Sequence, residues 1–200
     1  MARNTCANNT LYQDLTYCKG KTILPGIRPL VAVIPKADIV KWPVLPNTPS
    51  GNMGSIAKYA EGDFTLASDK YWKLIDLTLN KGQITWETQG DKPSRTFLNK
   101  APLEHPEINE SAAGFARQAI ADDLVFAIQQ RDGKWRILGN ELFDTDVKVS
   151  GGTGEGVSGE VGTKIEVEVT DVCPAPFYTG KLKLSSTEEI DCSKTSTPIV

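Results

Sequence analysis

Apolar and polar positions alternate along much of the second half of this chain, and the alternation marks strands. In residues 164–169, Ile165, Val167 and Val169 interleave with Lys164, Glu166 and Glu168, which predicts a strand with one buried face and one wet face. Upstream, LVFAIQQ and KWRILG flank Asp132-Gly133, a pair suited to a tight turn, so residues 124–139 are expected to form a hairpin. Between these blocks lies SGGTGEGVSGEVG, residues 150–162, which is too polar and too rich in glycine to carry a core. It is expected to be a long flexible loop. Its glycines Gly151, Gly152, Gly154, Gly156, Gly159 and Gly162 mark it as a candidate assembly loop.

The period changes once. Ile108, Ala112, Phe115, Ala116, Ala119 and Ile120 recur at helical spacing, which predicts a helix over residues 107–121. Pro106 and the acids Glu107 and Glu110 stand at its start, where the helix dipole favours negative charge, and Asp122-Asp123 ends it. Before it, residues 71–79 and 83–88 flank Asn80-Lys81-Gly82 and read as a second hairpin. The alternation in its first strand shifts near Leu74-Ile75, which implies a bulge or burial on both faces.

Residues 23–49 are punctuated by Pro25, Pro29, Pro35, Pro43, Pro46 and Pro49. Proline cannot donate to a central ladder, so this stretch is expected to be an edge strand or an extended arm. Ile34, Pro35, Ile39 and Trp42 are its candidate contacts with a neighbour. Residues 47–55 read as a loop, and residues 185–200 as a polar tail. The expected architecture is α+β and mainly β: an antiparallel sandwich or half-barrel with one flanking helix. A single domain is expected over residues 23–184, with an N-terminal segment 1–22 and a C-terminal tail 185–200.

Composition narrows the function more than it identifies it. Charged residues at 24% and hydrophobic residues at 40% describe an ordinary globular chain. The net charge of −3 gives no whole-chain case for nucleic-acid binding. The charge is nevertheless uneven: residues 1–60 carry 7 Lys/Arg against 2 Asp/Glu, and the remainder carries 15 against 23. This is either chance segregation on a solvated surface or a complementary contact between subunits. The first ten residues have no apolar stretch of the kind a signal peptide needs, and no apolar run reaches the length of a membrane span. Without secretion, the glycosylation patterns at Asn8 and Asn109 carry little meaning.

Several motifs that could carry chemistry fail on their context. Gly154, Gly156 and Gly159 match GxGxxG, but a strand follows instead of a helix and no βαβ unit surrounds them. Ser55-Ile56-Ala57-Lys58 matches SxxK without the companion motifs of such hydrolases. His105-Pro106-Glu107 resembles the HxE of zinc deaminases, yet the matching PCxxC is missing. Asp144 and Asp146 could share a strand face as an acid–base pair, but a solvated face is the better reading. Trp42, Trp72, Trp86 and Trp135 read first as core and interface residues, and second as a platform for sugars or bases. Cys6, Cys18, Cys173 and Cys192 form no CxxC, and free thiols are expected, with two disulfides as the alternative.

One constellation points to a family. A helix ends in Asp122-Asp123, a strand runs through residues 124–129, and Lys134-Trp135-Arg136-Ile137-Leu138-Gly139 follows the Asp132-Gly133 turn. A glycine-rich loop, a long strand and Ala175-Pro176-Phe177-Tyr178-Thr179-Gly180 complete the order. Together with Leu24-Pro25-Gly26-Ile27 and Ile34-Pro35-Lys36-Ala37-Asp38-Ile39, this resembles tail-tube-like virion structural proteins of tailed bacteriophages infecting Bacteroidetes, crAss-like phages and relatives among them. The resemblance covers most of residues 23–180. It implies a non-enzymatic homo-oligomer that closes into rings in the phage tail or head–tail junction, assembled in the host bacterial cytoplasm. It also implies contacts with other phage tail or portal-proximal proteins. Genomic DNA would pass through the channel without specific binding. No catalytic site, metal, cofactor or membrane is implied. The four cysteines and the proline-rich segment depart from a simple tube subunit and leave tube, ring, hub and completion protein open. The alternatives are a carbohydrate- or receptor-binding module using Trp42 or Trp86, and a wall hydrolase using Asp144 and Asp146.

Overall fold

The computed structural model describes residues 12–60 and 62–194. The strands in chain order are β1 (Ile27–Pro35), β2 (Ile39–Lys41), β3 (Thr65–Leu66), β4 (Lys73–Asp76), β5 (Thr85–Gln89), β6 (Thr96–His105), β7 (Leu124–Gln130), β8 (Trp135–Leu138), β9 (Thr145–Gly152), β10 (Gly162–Asp171), β11 (Phe177–Tyr178), β12 (Lys181–Lys183) and β13 (Glu189–Asp191). The helix α1 (Glu110–Ala119) lies between β6 and β7. The chain is an antiparallel β-sandwich with one helix, and it is not a closed barrel.

Two sheets face each other. One runs β11-β8-β7-β1-β4 and the other β5-β6-β10-β9. The inner face of β10 supplies Ile165, Val167 and Val169, as the alternation predicts, with Ala101 and Leu103 from β6 beside them. They meet Val31 and Val33 of β1 and Phe126, Ile128 and Leu138 of the β7–β8 hairpin. Asp132-Gly133 turns that hairpin as expected, with Gly133 N–H donating to Gln130 O.

The five-stranded sheet is buried on its other face as well. Ala32, Ile34, Val125, Ala127 and Ile137 point into a second core with Phe64, Trp72, Trp135, Tyr178 and Leu182. Phe64 sits at its centre, with ring centroids 5.1–5.4 Å from Trp42, Trp72 and Tyr178. Burial on both sides explains why β7 is apolar at each of its positions 124–128. It also accounts for the shift near Leu74-Ile75: Trp72 belongs to the second core, and Ile75 and Leu77 to the first.

Four expectations need correction. The proline-rich stretch is not a free arm, because β1 lies between β7 and β4 in the middle of its sheet. Its prolines are tolerated by position. Pro29 falls where the β1–β7 register slips, and Pro35 is the last residue of the strand. Ile34 and Ile39 are buried in the second core, Trp42 packs on Phe64 at 5.3 Å, and Pro35 pairs with Leu124, so these four candidates for neighbour contact are engaged within the chain. The hairpin over 71–79 and 83–88 does not form, since β4 pairs with β1 and β5 with β6. The intervening turn carries the chain from one sheet to the other, with Leu77 N–H donating to Pro29 O and Thr78 N–H to Glu104 O.

The third and fourth corrections concern element limits. The helix starts at Glu110 because the Asn109 side chain accepts from Ala112 N–H at 2.8 Å and caps it. Its buried stripe is Ala112, Phe115 and Ala119, while Ile120 is exposed just past the end. The C-terminal tail begins later than residue 185. β13 pairs with β12 and places Ile190 and Cys192 against the second core. Residues 195–200, and Cys6 with the rest of residues 1–11, lie outside the described residues.

Candidate functional site

The glycine-rich segment is a built hairpin tip, not a loose loop. Gly151 and Gly152 end β9, Gly162 opens β10, and Gly152 is paired with Gly162. The tip is therefore residues 153–161. Gly154 (φ +74°) and Gly159 approach so closely that a Cβ on Gly159 would lie 2.2 Å from the Glu155 nitrogen and 2.7 Å from Gly154 Cα. Only glycine fits that pinch. A short 3-10 turn, Gly156–Ser158, crowns it and holds Val157 fully in solvent, with Val161 half-exposed at the base.

The base of the tip is anchored. Lys81 Nζ bridges Glu104 Oε1 and Glu160 Oε2, both at 2.8 Å. These bonds raise the Lys81 pKa, and Lys81 lowers that of Glu160. Thr163 Oγ1 donates to Glu107 O at 2.9 Å and fixes the far side. The GxGxxG match thus sits at a β-hairpin tip with a strand on either side, a setting with no helix N-terminus for pyrophosphate.

Four strands lie at the ends of the two sheets: β4 and β11 in one, β5 and β9 in the other. The outer face of the four-stranded sheet is ionic. Lys100 Nζ lies 2.9 Å from Glu87 and 3.7 Å from Glu168, and Lys148 lies 3.1 Å from Asp146. The β4 side is mixed, with Arg28, Asp76, Asn80, Gln129 and Arg131 around an apolar floor. A groove of about 680 Å³ opens there beside Ile27, Leu30, Leu74 and Leu79.

The remaining candidates scatter. Asp144 Oδ1 bonds Lys36 at 3.2 Å, and Lys36 also reaches Asp123 at 2.9 Å. The lysine holds the Asp144 carboxyl below its usual range. Asp146 turns to Lys148, so the two aspartates converge on nothing. Ser55 Oγ donates to Asn52 O and accepts from Ser50 N–H, closing a turn. His105 Nδ1 pairs with Asp76 O at 2.8 Å and ties β6 to β4. Trp72 and Trp135 are core. Trp86 is half-exposed, yet its ring stacks over the Arg136 guanidinium, centred 5.1 Å away, with Phe177 on that cation at 3.9 Å. This stack staples β5 to β8 across the open side of the sandwich. Cys173 and Cys192 are buried free thiols and Cys18 is an exposed one, and burial pushes the Cys173 thiol up to about 12. Among the described residues, no group of three or more His, Cys, Asp or Glu could hold a metal ion, and no helix is long and apolar enough to cross a membrane.

One carboxylate is strained. Asp171 is buried, and its Oδ2 has no partner among the described residues. Burial raises its pKa to about 6, against the opposing pull of the Val172 and Cys173 N–H groups and the Asn140 amide. A folded pKa above the unfolded value means that its favourable contribution is complete below about pH 4 and is lost as pH rises through 6. Asp171→Asn removes that titration. Its stability relative to the native chain should grow by about 2–3 kcal/mol between pH 4 and pH 7.5, read by urea unfolding. A gap independent of pH would contradict the burial of the charge.

Compared with known proteins, the chain matches no family model, no curated protein and no solved structure.

Proposed function

We propose that the protein is a non-enzymatic structural subunit that self-assembles into a ring or tube of a phage tail or head–tail junction and forms part of its DNA channel. The observation that carries this reading is the pinched hairpin tip at residues 153–161. It displays Val157 and Val161 away from the core on an anchored stalk, a form suited to insertion into a neighbouring subunit. The sandwich adds sheet ends at β4, β5, β9 and β11, where strands of neighbouring copies can continue the ladders. The wet face of the four-stranded sheet suits a channel wall. Its acids Glu87, Glu104, Asp146, Glu166 and Glu168 outnumber Lys100, Lys148 and Lys164, so it would not hold phosphate as a basic lining would. The order of elements read from the sequence supplies the phage context.

The test is assembly. Purified protein should sediment as a closed oligomer, with rings visible by electron microscopy. A chain in which residues 153–161 are replaced by Asn-Gly should keep its thermal midpoint, since a tip outside both cores contributes little to folding and shortening a loop is cheap. It should lose the oligomer. A native chain that stays monomeric at every concentration would end the reading, and an oligomer that survives the replacement would remove the tip from it.

A further inference from the structure

The free arm of this protein lies upstream of the proline-rich stretch. Residues 12–26 are exposed throughout, belong to no strand, and carry Tyr12, Leu15, Tyr17, Ile23 and Leu24 with at least half of each side chain in solvent. Nothing in the composition of this run accounts for such exposure in a lone chain, because large apolar side chains at this density are normally covered. Its described ties to the rest of the chain are slight. Gln13 accepts from Met53 N–H at 2.9 Å, and Gly26 O accepts from Arg131 N–H at 3.3 Å.

The same molecule carries an uncovered apolar site of matching kind. Among the described residues β4 pairs on one side only, with β1. The Leu77 N–H bond to Pro29 O sets the register, so Ile75 and Lys73 point their main-chain groups at β1, and Leu74 and Asp76 point theirs outward. His105 takes the Asp76 carbonyl, which leaves the groups of Leu74 for a further strand. Next to this edge is the groove of about 680 Å³ whose apolar floor is Ile27, Leu30, Leu74 and Leu79. Leu79 is 70% exposed and Leu74 42% exposed, so the floor is open in the single chain.

We infer that residues 12–26 of one copy dock on the β4 edge of a second copy, with the arm's apolar side chains filling the groove beside Leu74 and Leu79. This deepens the proposed assembly and rests on it. Two observations favour a second copy over the chain's own arm. The arm is rooted at the groove itself, since Ile27 and Arg131 both line it and Arg131 holds Gly26. To reach the outer edge of β4 from that root, the arm would have to reverse and cross the β1–β4 pair. Fully extended, residues 12–25 span roughly 45 Å, enough to reach past a subunit whose radius of gyration is about 16 Å. Charge is compatible with the contact: the arm carries Lys19 and Lys21, and Asp76 lines the groove. The contact joins unlike surfaces; when the two copies do not exchange arms reciprocally as a dimer, it propagates head to tail and closes as a ring or continues as a filament.

The native Cys18 in the arm provides the test. In the full chain carrying Leu79→Cys, a short bismaleimide should join Cys18 of one molecule to position 79 of another, identified by mass spectrometry of the linked peptides. The same reagent should give no such product with Val44→Cys, an exposed control distant from the groove in sequence. A link within one molecule, shown by a monomeric cross-linked product, or equal yield from both variants, would overturn the inference. Independently, a synthetic peptide of residues 12–26 in excess should bind the full chain and displace its arm, and Leu79→Glu should weaken that binding by about tenfold or more. Absence of binding, or binding indifferent to Leu79→Glu, would overturn the inference too. If the native protein assembles and these results are negative, the arm contact fails while the assembly reading stands. If the native protein is monomeric, the contact between copies fails together with the assembly reading, and a peptide that still binds at the groove marks an arm that docks on its own chain.

Discussion

Replacing Trp72 by alanine should lower the unfolding free energy by about 3–5 kcal/mol, whereas Trp86→Ala should cost about 1–2 kcal/mol. The residue type is the same and the surroundings differ. Trp72 is 1% exposed, and its ring meets Phe64 edge to face at 5.4 Å. Truncation would leave a void in the second core where Phe64, Tyr178 and Leu182 cannot close up without moving the five-stranded sheet. Trp86 is 48% exposed and gives up one face of a cation–π stack, so water fills its place. Paired urea titrations give both numbers. Equal costs for the two variants would mean that the covering layer around Phe64 does not form a true core.

The second large effect is at Asn99, which is fully buried between the sheets. Its Nδ2 donates to Cys173 O and its Oδ1 accepts from Ala175 N–H, both at 3.0 Å. The corner it holds is demanding: Ala175 is buried with φ +33°, a conformation that costs an alanine about 1 kcal/mol or more. Arg136 Nη1 supports the same corner through Pro174 O and Ala175 O, at 3.2 and 2.9 Å. Asn99→Ala would strand a buried N–H and a buried carbonyl, which together should cost about 2–5 kcal/mol. The expected readout is a lower denaturation midpoint with an unchanged denaturant slope. A near-neutral Asn99→Ala would show that water reaches the corner. Ala175→Gly, which relieves the backbone, should recover part of the loss in the double variant.

Much of the architecture was legible in local pattern. The alternation of Ile165, Val167 and Val169 named the inner face of β10 correctly, because a pleated strand with one wet side enforces period two. The Asp132-Gly133 turn and the helical stripe of Ala112, Phe115 and Ala119 were equally readable. The glycines at 151–162 marked a connection but read as a flexible loop; the hairpin pairing of Gly152 with Gly162 and the pinch at Gly154 and Gly159 were not visible in composition, since close approach of two backbones is a property of the folded segment. The exposed segment without strands lies earlier in the chain than the prolines imply. Prolines at 25–49 looked decisive, yet prolines restrict a strand only where an N–H is needed, and Pro29 and Pro35 stand where none is. Residues 12–26 gave no comparable mark.

Local pattern was enough to mark β7, β8 and β10, the helix and the Asp132-Gly133 turn, because those depend on neighbours a few residues away, whereas β6 and β13 carried no such mark. Only the tertiary structure decided that β4 and β5 part company into different sheets, that β1 lies central, and that β12 and β13 help seal a second core. Such pairings join residues tens of positions apart. They are selected by which apolar faces can be covered at once, a competition settled in three dimensions and left unmarked by any local period.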